Sequence, residues 1–190
     1  MKPTLIVLNG APGVGKSTLA EKYADMHPLT LKLDVDVIRR FISDYREQFQ
    51  ASGKLSKTLA LEMARTHLQC GYDVIIAQCY RKPEYMEALE KLAQDCNAGF
   101  YEFLLSLSKA EAIARFIKRG QKEGAPDGFL PDSLVTRGGG KVKLESMYDE
   151  MMDTVSKRPN TKVIEPTLDD IAGTYAELMR HLTYDRMTHH

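Results

Sequence analysis

The sequence predicts a three-layer α/β fold, a parallel sheet with helices packed on both faces. Short apolar, β-branched runs alternate with longer stretches of helical periodicity, and a glycine-rich turn joins the first run to the first helix. Parallel strands demand such alternation, because a crossover must carry the chain back before the next strand can start.

Each element has a local reason. Thr4-Leu5-Ile6-Val7-Leu8, closed by Asn9-Gly10, reads as a buried strand. Lys16 to Met26 follows as a helix, with Leu19, Ala20 and Tyr23 at helix spacing. Leu29 to Leu33 is a second strand, leading through Asp34-Val35-Asp36 into a short helix from Val37 to about Asp44. A longer helix covers Ser56 to Gln69, with Gly71 as its stop. Asp73 to Gln78 is the third strand. Pro83 opens a helix running to Gln94, at a first-turn position where its missing N–H forfeits no intrahelical bond.

Phe100 to Leu105 is the fourth strand, and Ser108 to Arg119 a helix that opens with the capping box Ser108/Glu111. Residues 120–140 hold six glycines and two prolines and read as a loop. Val142 to Val155 is helical, Thr161 to Ile164 is the fifth strand, and Leu168 to His181 the last helix. The expected organisation is one domain over 1–182 with a mobile lid at about 118–141, then a tail over 183–190.

Bulk properties narrow the classes. With 26 basic and 26 acidic residues among 190, the chain has no net field to draw in a polyanion, so nucleic acid is a disfavoured partner. Cys70, Cys79 and Cys96 form no Cys-x-x-Cys pair and read as buried free thiols of a reducing compartment. The histidines show no metal-ligand spacing. No run approaches the roughly 20 apolar residues of a membrane span, and the amino terminus does not read as a signal peptide. The expected location is cytoplasmic.

The decisive segment is Gly10-Ala11-Pro12-Gly13-Val14-Gly15-Lys16-Ser17-Thr18, which matches Gly-x-x-x-x-Gly-Lys-[Ser/Thr] between a strand and a helix. That is the P-loop pattern, in the place a P-loop must occupy. Its glycines let successive N–H groups converge on one anion, and the helix adds its positive end. Lys16 is expected to reach the β- and γ-phosphates of ATP, and the Ser17 hydroxyl to ligate Mg²⁺. The Asn-Lys-x-Asp of switch GTPases and the Leu-Ser-Gly-Gly-Gln of transporter ATPases are both missing, and the third strand runs into Gln78 rather than an Asp. These absences point towards small kinases.

Asp34 and Asp36 follow the second strand, so they open to the same carboxyl edge of the sheet as the P-loop. A kinase needs a carboxylate to orient the acceptor hydroxyl and take its proton, and Asp36 is the candidate. Asp34 is a candidate contact to the metal shell through water. Arg39 lies one turn beyond Asp36 and is a candidate grip on an anionic acceptor group. Either aspartate could instead cap the helix that follows. Arg81, just after the third strand, is a further candidate acceptor contact. Arg115 and Arg119 share a helix face before the glycine-rich segment, where closing arginines would stabilise the charge of a transferring phosphoryl group.

Gly10 to Thr18 together with Leu33-Asp34-Val35-Asp36-Val37-Ile38-Arg39 resembles the small P-loop kinases of the zeta-toxin and polynucleotide-kinase-like group. Shikimate kinase, gluconate kinase and chloramphenicol phosphotransferase are similar in architecture at greater distance. The resemblance implies a five-stranded parallel sheet ordered 2-3-1-4-5 and a mobile lid. It also implies Asp36 as the base, Arg39 as the substrate-facing arginine, and an Arg-x-x-x-Arg helix at Arg115 and Arg119. The motifs span the first 40 residues, the helix before the lid extends the likeness to about 120, and beyond that it is architectural.

The function expected is an ATP-dependent phosphotransferase acting on a hydroxyl of a small molecule. A polynucleotide 5′-hydroxyl kinase and a non-enzymatic ATP-binding sensor are the alternatives. Nothing in the sequence names the acceptor or separates ATP from GTP.

Overall fold

The computed structural model describes residues 2–120, 140–167 and 170–188. Its centre is β1, Thr4–Asn9, buried at every position. A strand buried on both faces reads as a continuous apolar run, which is why Leu5, Ile6, Val7 and Leu8 need no polar alternation. β1 pairs in parallel with β3 (Val74–Ala77) on one side and β4 (Gly99–Leu105) on the other. β2 (Leu31–Leu33) flanks β3 and β5 (Lys162–Ile164) flanks β4, so the five strands lie in the order 2-3-1-4-5 that the resemblance implied.

Alternate residues of each strand supply two cores. Leu5 and Val7, with Val74 and Ile76, face α3 (Phe49–Gln69) and α4 (Pro83–Asp95). Ile6 and Leu8, with Ile75 and Phe103, face α1 (Lys16–Met26) and the last helix, whose Leu19, Tyr23, Leu178 and Leu182 complete that side. Each such side chain contributes about 1.5–3 kcal/mol by leaving water. The remaining helices described are α2 (Val35–Arg40), α5 (Lys109–Gly120), α6 (Gly140–Ser156) and the last, α7 (Ile171–Thr188).

Helix α1 has the expected bounds, and the other boundaries move for visible reasons. α2 starts at Val35 because Asp34 is its N-cap, the Oδ1 accepting from the Asp36 and Val37 N–H groups at 2.9 and 3.2 Å. α3 starts at Phe49, seven residues ahead of the expected Ser56. Gly53 and Ser52 there argue against a helix, but tertiary contacts reward one. Ser52 Oγ accepts from Arg39 Nε at 2.9 Å and donates to the Tyr45 carbonyl at 2.9 Å. A Cβ on Gly53 would lie 3.6 Å from the Arg39 guanidinium, in ordinary contact. Ser52, Ser56, Ala60 and Ala64, four apart and buried, let α3 lie close against its neighbours.

The capping Ser108 accepts from the Glu111 N–H at 3.3 Å, although the Glu111 carboxylate turns to Arg115 instead of back to the cap. α7 continues to Thr188 where a tail was expected, since no Gly or Pro interrupts residues 183–188. The three thiols are free, but Cys70 is exposed and the other two half-buried, so they are not the buried thiols expected. Most of the expected lid, residues 121–139, lies outside the described residues.

Below the sheet's functional edge, Arg158 joins three elements. Its Nε donates to Glu102 on β4 at 2.6 Å and its Nη2 to Glu90 on α4 at 2.7 Å, while Thr161 Oγ1 donates to Glu102 at 2.7 Å. Glu102 is 5% exposed. Removing one partner of a buried pair leaves a charge stranded. Arg158→Ala is therefore expected to lower stability by about 3 kcal/mol, read as an earlier urea midpoint with an unchanged slope.

Candidate active site

The P-loop is the turn between β1 and α1. Gly15 holds a left-handed conformation at φ 100° as the N-cap of α1, and no side chain caps the helix. α1 has no acidic residue in its first turn. Its positive end is thus left without a built-in counter-charge, as an anion site requires. Lys16 is 9% exposed, and its Nζ donates to the carbonyls of Gly10 and Ala11 at 2.8 and 2.9 Å. The ammonium is held over the loop before any phosphate arrives. Ser17 and Thr18, next along α1, are exposed.

A buried asparagine fixes this cradle against the neighbouring loop. Asn9 Oδ1 accepts from the Gly10 N–H and the Tyr80 N–H, both at 2.9 Å, and Nδ2 donates to the Tyr80 carbonyl at 3.4 Å. Gln78 N–H donates to the Leu8 carbonyl at 3.1 Å and carries the β3 ladder to the same level. Sequence reasoning treated Asn9 as a turn residue only. The available signal was a polar residue ending a fully apolar strand directly before the first P-loop glycine.

Asp36 lies in the first turn of α2 at the carboxyl edge of β2. Crowding by protein raises its pKa above the ordinary value, and Asp34 raises it further; Arg39, Arg40 and Lys16 pull the other way. The side chain remains in contact with solvent, so the effect comes from partial desolvation at the surface rather than enclosure. The Lys16 contribution places Asp36 within electrostatic reach of the phosphate cradle. Cys79 lies in the same field: burial pushes its thiol up, while Lys16 and Arg81 act to lower it.

The arginines are distributed differently from expectation. Arg39 is 9% exposed and turned into the α2–α3 junction, where its guanidinium lies 3.7 Å from the Phe49 ring centroid and donates to the Phe49 carbonyl and Ser52 Oγ. Burial lowers its pKa and Asp36 opposes that. This packing takes up the side chain that was expected to grip the acceptor. Arg81 Nη1 pairs with Glu150 Oε2 at 2.9 Å, tying the β3–α4 loop to α6. The Glu150 carboxyl is lowered, first by the Ser146 hydroxyl and then by Arg81.

Arg115 Nη2 pairs with Glu111 Oε1 at 2.7 Å. Its helix touches the P-loop: a Cβ on Gly13 would stand 2.9 Å from the Phe116 nitrogen, at a φ of +88°. The Arg119 side chain lies outside the described residues, as does Arg137. Asp34 spends one carboxylate oxygen on the α2 cap.

No group of three or more His, Cys, Asp or Glu side chains among the described residues could by itself hold a metal ion. Mg²⁺ here would have to arrive with the nucleotide and take Ser17 as a protein ligand. The exposed hydroxyl at the start of α1 fits that role.

Residues 5–130 match the family model described as an AAA domain. The chain belongs to the AAA-domain family. Among solved structures, this AAA-domain chain resembles a protein titled a "putative kinase" from Chloroflexus aurantiacus, with TM-score 0.68 and 19% identity over 95% of this chain and 99% of that one. A gluconokinase from Sinorhizobium meliloti follows, with TM-score 0.61 and 17% identity over 100% and 99% of the two chains. A chain of the Pnkp1/Rnl/Hen1 RNA repair complex gives TM-score 0.60 and 20% identity over 83% of this chain and 47% of that one. At these identities the likeness shows the fold, a kinase-like P-loop architecture. No curated protein sequence matches. Among the described residues no helix is long and apolar enough to cross a membrane.

Gly13 is the point where cradle and α5 meet, so Gly13→Ala tests the contact. The added Cβ must displace α5 and adopt an unfavourable φ, at a cost of about 1–3 kcal/mol. The expected outcome is a lower melting temperature together with weaker Mg-ATP binding by calorimetry.

Proposed function

We propose that this chain is an ATP-dependent phosphotransferase that moves the γ-phosphoryl group to a hydroxyl of a small-molecule acceptor. The observation that carries the reading is the placing of Asp36 at the same sheet edge as the P-loop, within the field of Lys16 and with a raised pKa. A cradle alone binds nucleotide; a carboxylate poised beside it suits proton removal from an incoming alcohol.

In the proposed reaction the P-loop amides and Lys16 hold the β- and γ-phosphates, Lys16 exchanging its carbonyl partners for phosphate oxygens. Mg²⁺, when bound with the nucleotide, neutralises phosphate charge, with Ser17 as its protein ligand. The acceptor oxygen forms a bond to the γ-phosphorus as the bond from that phosphorus to the β–γ bridging oxygen breaks. ADP leaves with the electron pair, and the hydroxyl proton passes to the Asp36 carboxylate. Arg115 and Arg119 are the proposed stabilisers of the equatorial oxygens, with the segment 118–141 as the lid that excludes water. For Arg115 this means giving up Glu111. Asp34 retains one carboxylate oxygen for a water of the metal shell, and Arg81 borders the acceptor side. Arg39 acts on Asp36 through its charge. The neutral overall charge favours a small acceptor over a polynucleotide end, and we place the protein in the cytoplasm as one catalytic domain.

An ADP-release assay across alcohol acceptors tests the reading. Asp36→Asn is expected to lower kcat by about 10²–10⁴-fold with little change in ATP affinity, and equal turnover in that variant removes Asp36 as base. Lys16→Ala is expected to weaken ATP binding by roughly tenfold or more, the value of a charge-assisted hydrogen bond. Because Asp36 works only when deprotonated and its pKa is raised, kcat should fall on acidification with a midpoint above the ordinary 3.8 of an aspartate. Turnover on a DNA or RNA end that collapses with added salt would instead identify a polynucleotide acceptor.

A further inference from the structure

A chain of hydrogen bonds leads from the β3–α4 loop to the phosphate cradle. Tyr80 N–H donates to Asn9 Oδ1, which also accepts from Gly10 N–H, each at 2.9 Å. The Gly10 carbonyl in turn accepts from Lys16 Nζ at 2.8 Å. Asn9 Nδ2 completes the link by donating to the Tyr80 carbonyl at 3.4 Å. Asn9 is fully buried and Tyr80 is 5% exposed, so water does not compete for these bonds while the loop stays down.

The Tyr80 amide exchanges with solvent only when the loop lifts and its bond to Asn9 breaks. Lifting strips Asn9 of both Tyr80 partners and admits water beneath the end of β1. The Asn9 side chain then loses the contacts that fix its rotamer and, with them, its grip on Gly10. That grip matters most with nucleotide bound. Phosphate draws Lys16 off the Gly10 carbonyl in the proposed reaction, and Asn9 is then the side chain that still holds Gly10. Gly10 also lies close against β4, where a Cβ would stand 2.7 Å from the Leu105 carbonyl oxygen, so its displacement deforms the turn. The cradle that fits phosphate therefore requires the loop to be down, and a ligand that binds one of two states favours that state.

We infer that nucleotide binding in the P-loop holds the β3–α4 loop down through Asn9, so that the acceptor side is set when the phosphoryl donor is in place. Asn9 is the positioning residue of this coupling. Coupling between two sites is reciprocal, so an acceptor bound on the loop tightens nucleotide in turn. The acceptor's part rests on the phosphotransferase reading, whereas the hold on the loop rests on nucleotide binding alone.

Amide exchange followed by NMR on the full chain, with and without Mg²⁺ and a non-hydrolysable ATP analogue, tests it. With the analogue at about 100 times its Kd, exchange at Tyr80 is expected to slow by about tenfold or more, with a ceiling near 100-fold for strict coupling. Leu31 and Ala98, whose N–H groups are bonded to the Asp73 and Ala93 carbonyls at the opposite edge of the sheet, are the controls and should slow less. Asn9→Ala is expected to speed exchange at Tyr80 and abolish its response to the analogue, while calorimetry still records analogue binding. If Tyr80 slows no more than the controls, or if a folded, analogue-binding Asn9→Ala keeps the response, the inference is overturned. Should Asn9→Ala fail to fold, the parent chain and Lys16→Ala decide the matter. Protection at Tyr80 must then rise along the calorimetric binding curve, and Lys16→Ala must move that rise to higher concentration. An ADP-release assay that finds no acceptor would remove the phosphotransferase reading and leave this coupling in place. A parent chain that binds no nucleotide would overturn both.

Discussion

The functional edge depends on one buried side-chain amide. Asn9 closes β1 and satisfies three backbone groups, two on Tyr80 and one on Gly10. Without it, these groups would be stranded beneath the surface at about 1–3 kcal/mol each. The amide couples the P-loop, where phosphates bind, to the β3–α4 loop, where the acceptor is proposed to bind. Transfer between two bound molecules is sensitive to displacements of about an ångström, and a rigid tie between their sites contributes to rate through positioning alone. An apolar residue at position 9 would satisfy the strand pattern but remove that tie.

The cradle is preorganised in the same sense. Lys16 already lies over the Gly10 and Ala11 carbonyls, so phosphate binding exchanges one set of oxygen partners for another without a new search of rotamers. The positive end of α1 lacks an acidic neighbour in its first turn, which forgoes a small gain in helix stability and leaves the site's charge available. Gly13 then lets the α5 backbone approach the loop, placing the helix that carries Arg115 directly against the cradle. Charge, shape and closure thus meet in a few residues.

Those parts of the fold governed by local pattern were legible in the sequence. Helix α1, the apolar strands and the P-loop follow from periodicity, β-branching and glycine spacing, and the strand order followed from the resemblance. What escaped was set by contacts across the chain. α3 begins early because Arg39 and Ser52 reward a helix through Gly53, and no local propensity records that exchange. Asn9 and Tyr80 are 71 residues apart, so their bond leaves no trace in either segment. Arg39 shows the limit of helix-face reasoning. Its i,i+3 spacing from Asp36 is real, but the guanidinium turns into the α2–α3 junction under Phe49, where stacking and hydrogen bonds outweigh exposure at the open edge.

Arg39 nevertheless acts on Asp36 through its field, and the balance of such fields links nucleotide binding to base strength. Desolvation and Asp34 raise the Asp36 pKa; Arg39, Arg40 and Lys16 oppose them. A triphosphate settling on Lys16 cancels part of one opposing charge and adds negative charge of its own, which Mg²⁺ only partly offsets. Both changes raise the Asp36 pKa further. A general base strengthens as its pKa climbs towards the working pH, so the proposed base would improve when the phosphoryl donor is in place. The acid limb of kcat, which reports the ternary complex, should therefore lie at higher pH than that of kcat/KM for ATP, which reports the form that ATP meets. Coincident limbs would mean that Asp36 does not sense the nucleotide, and the coupling of cradle and base would then have to be purely geometric.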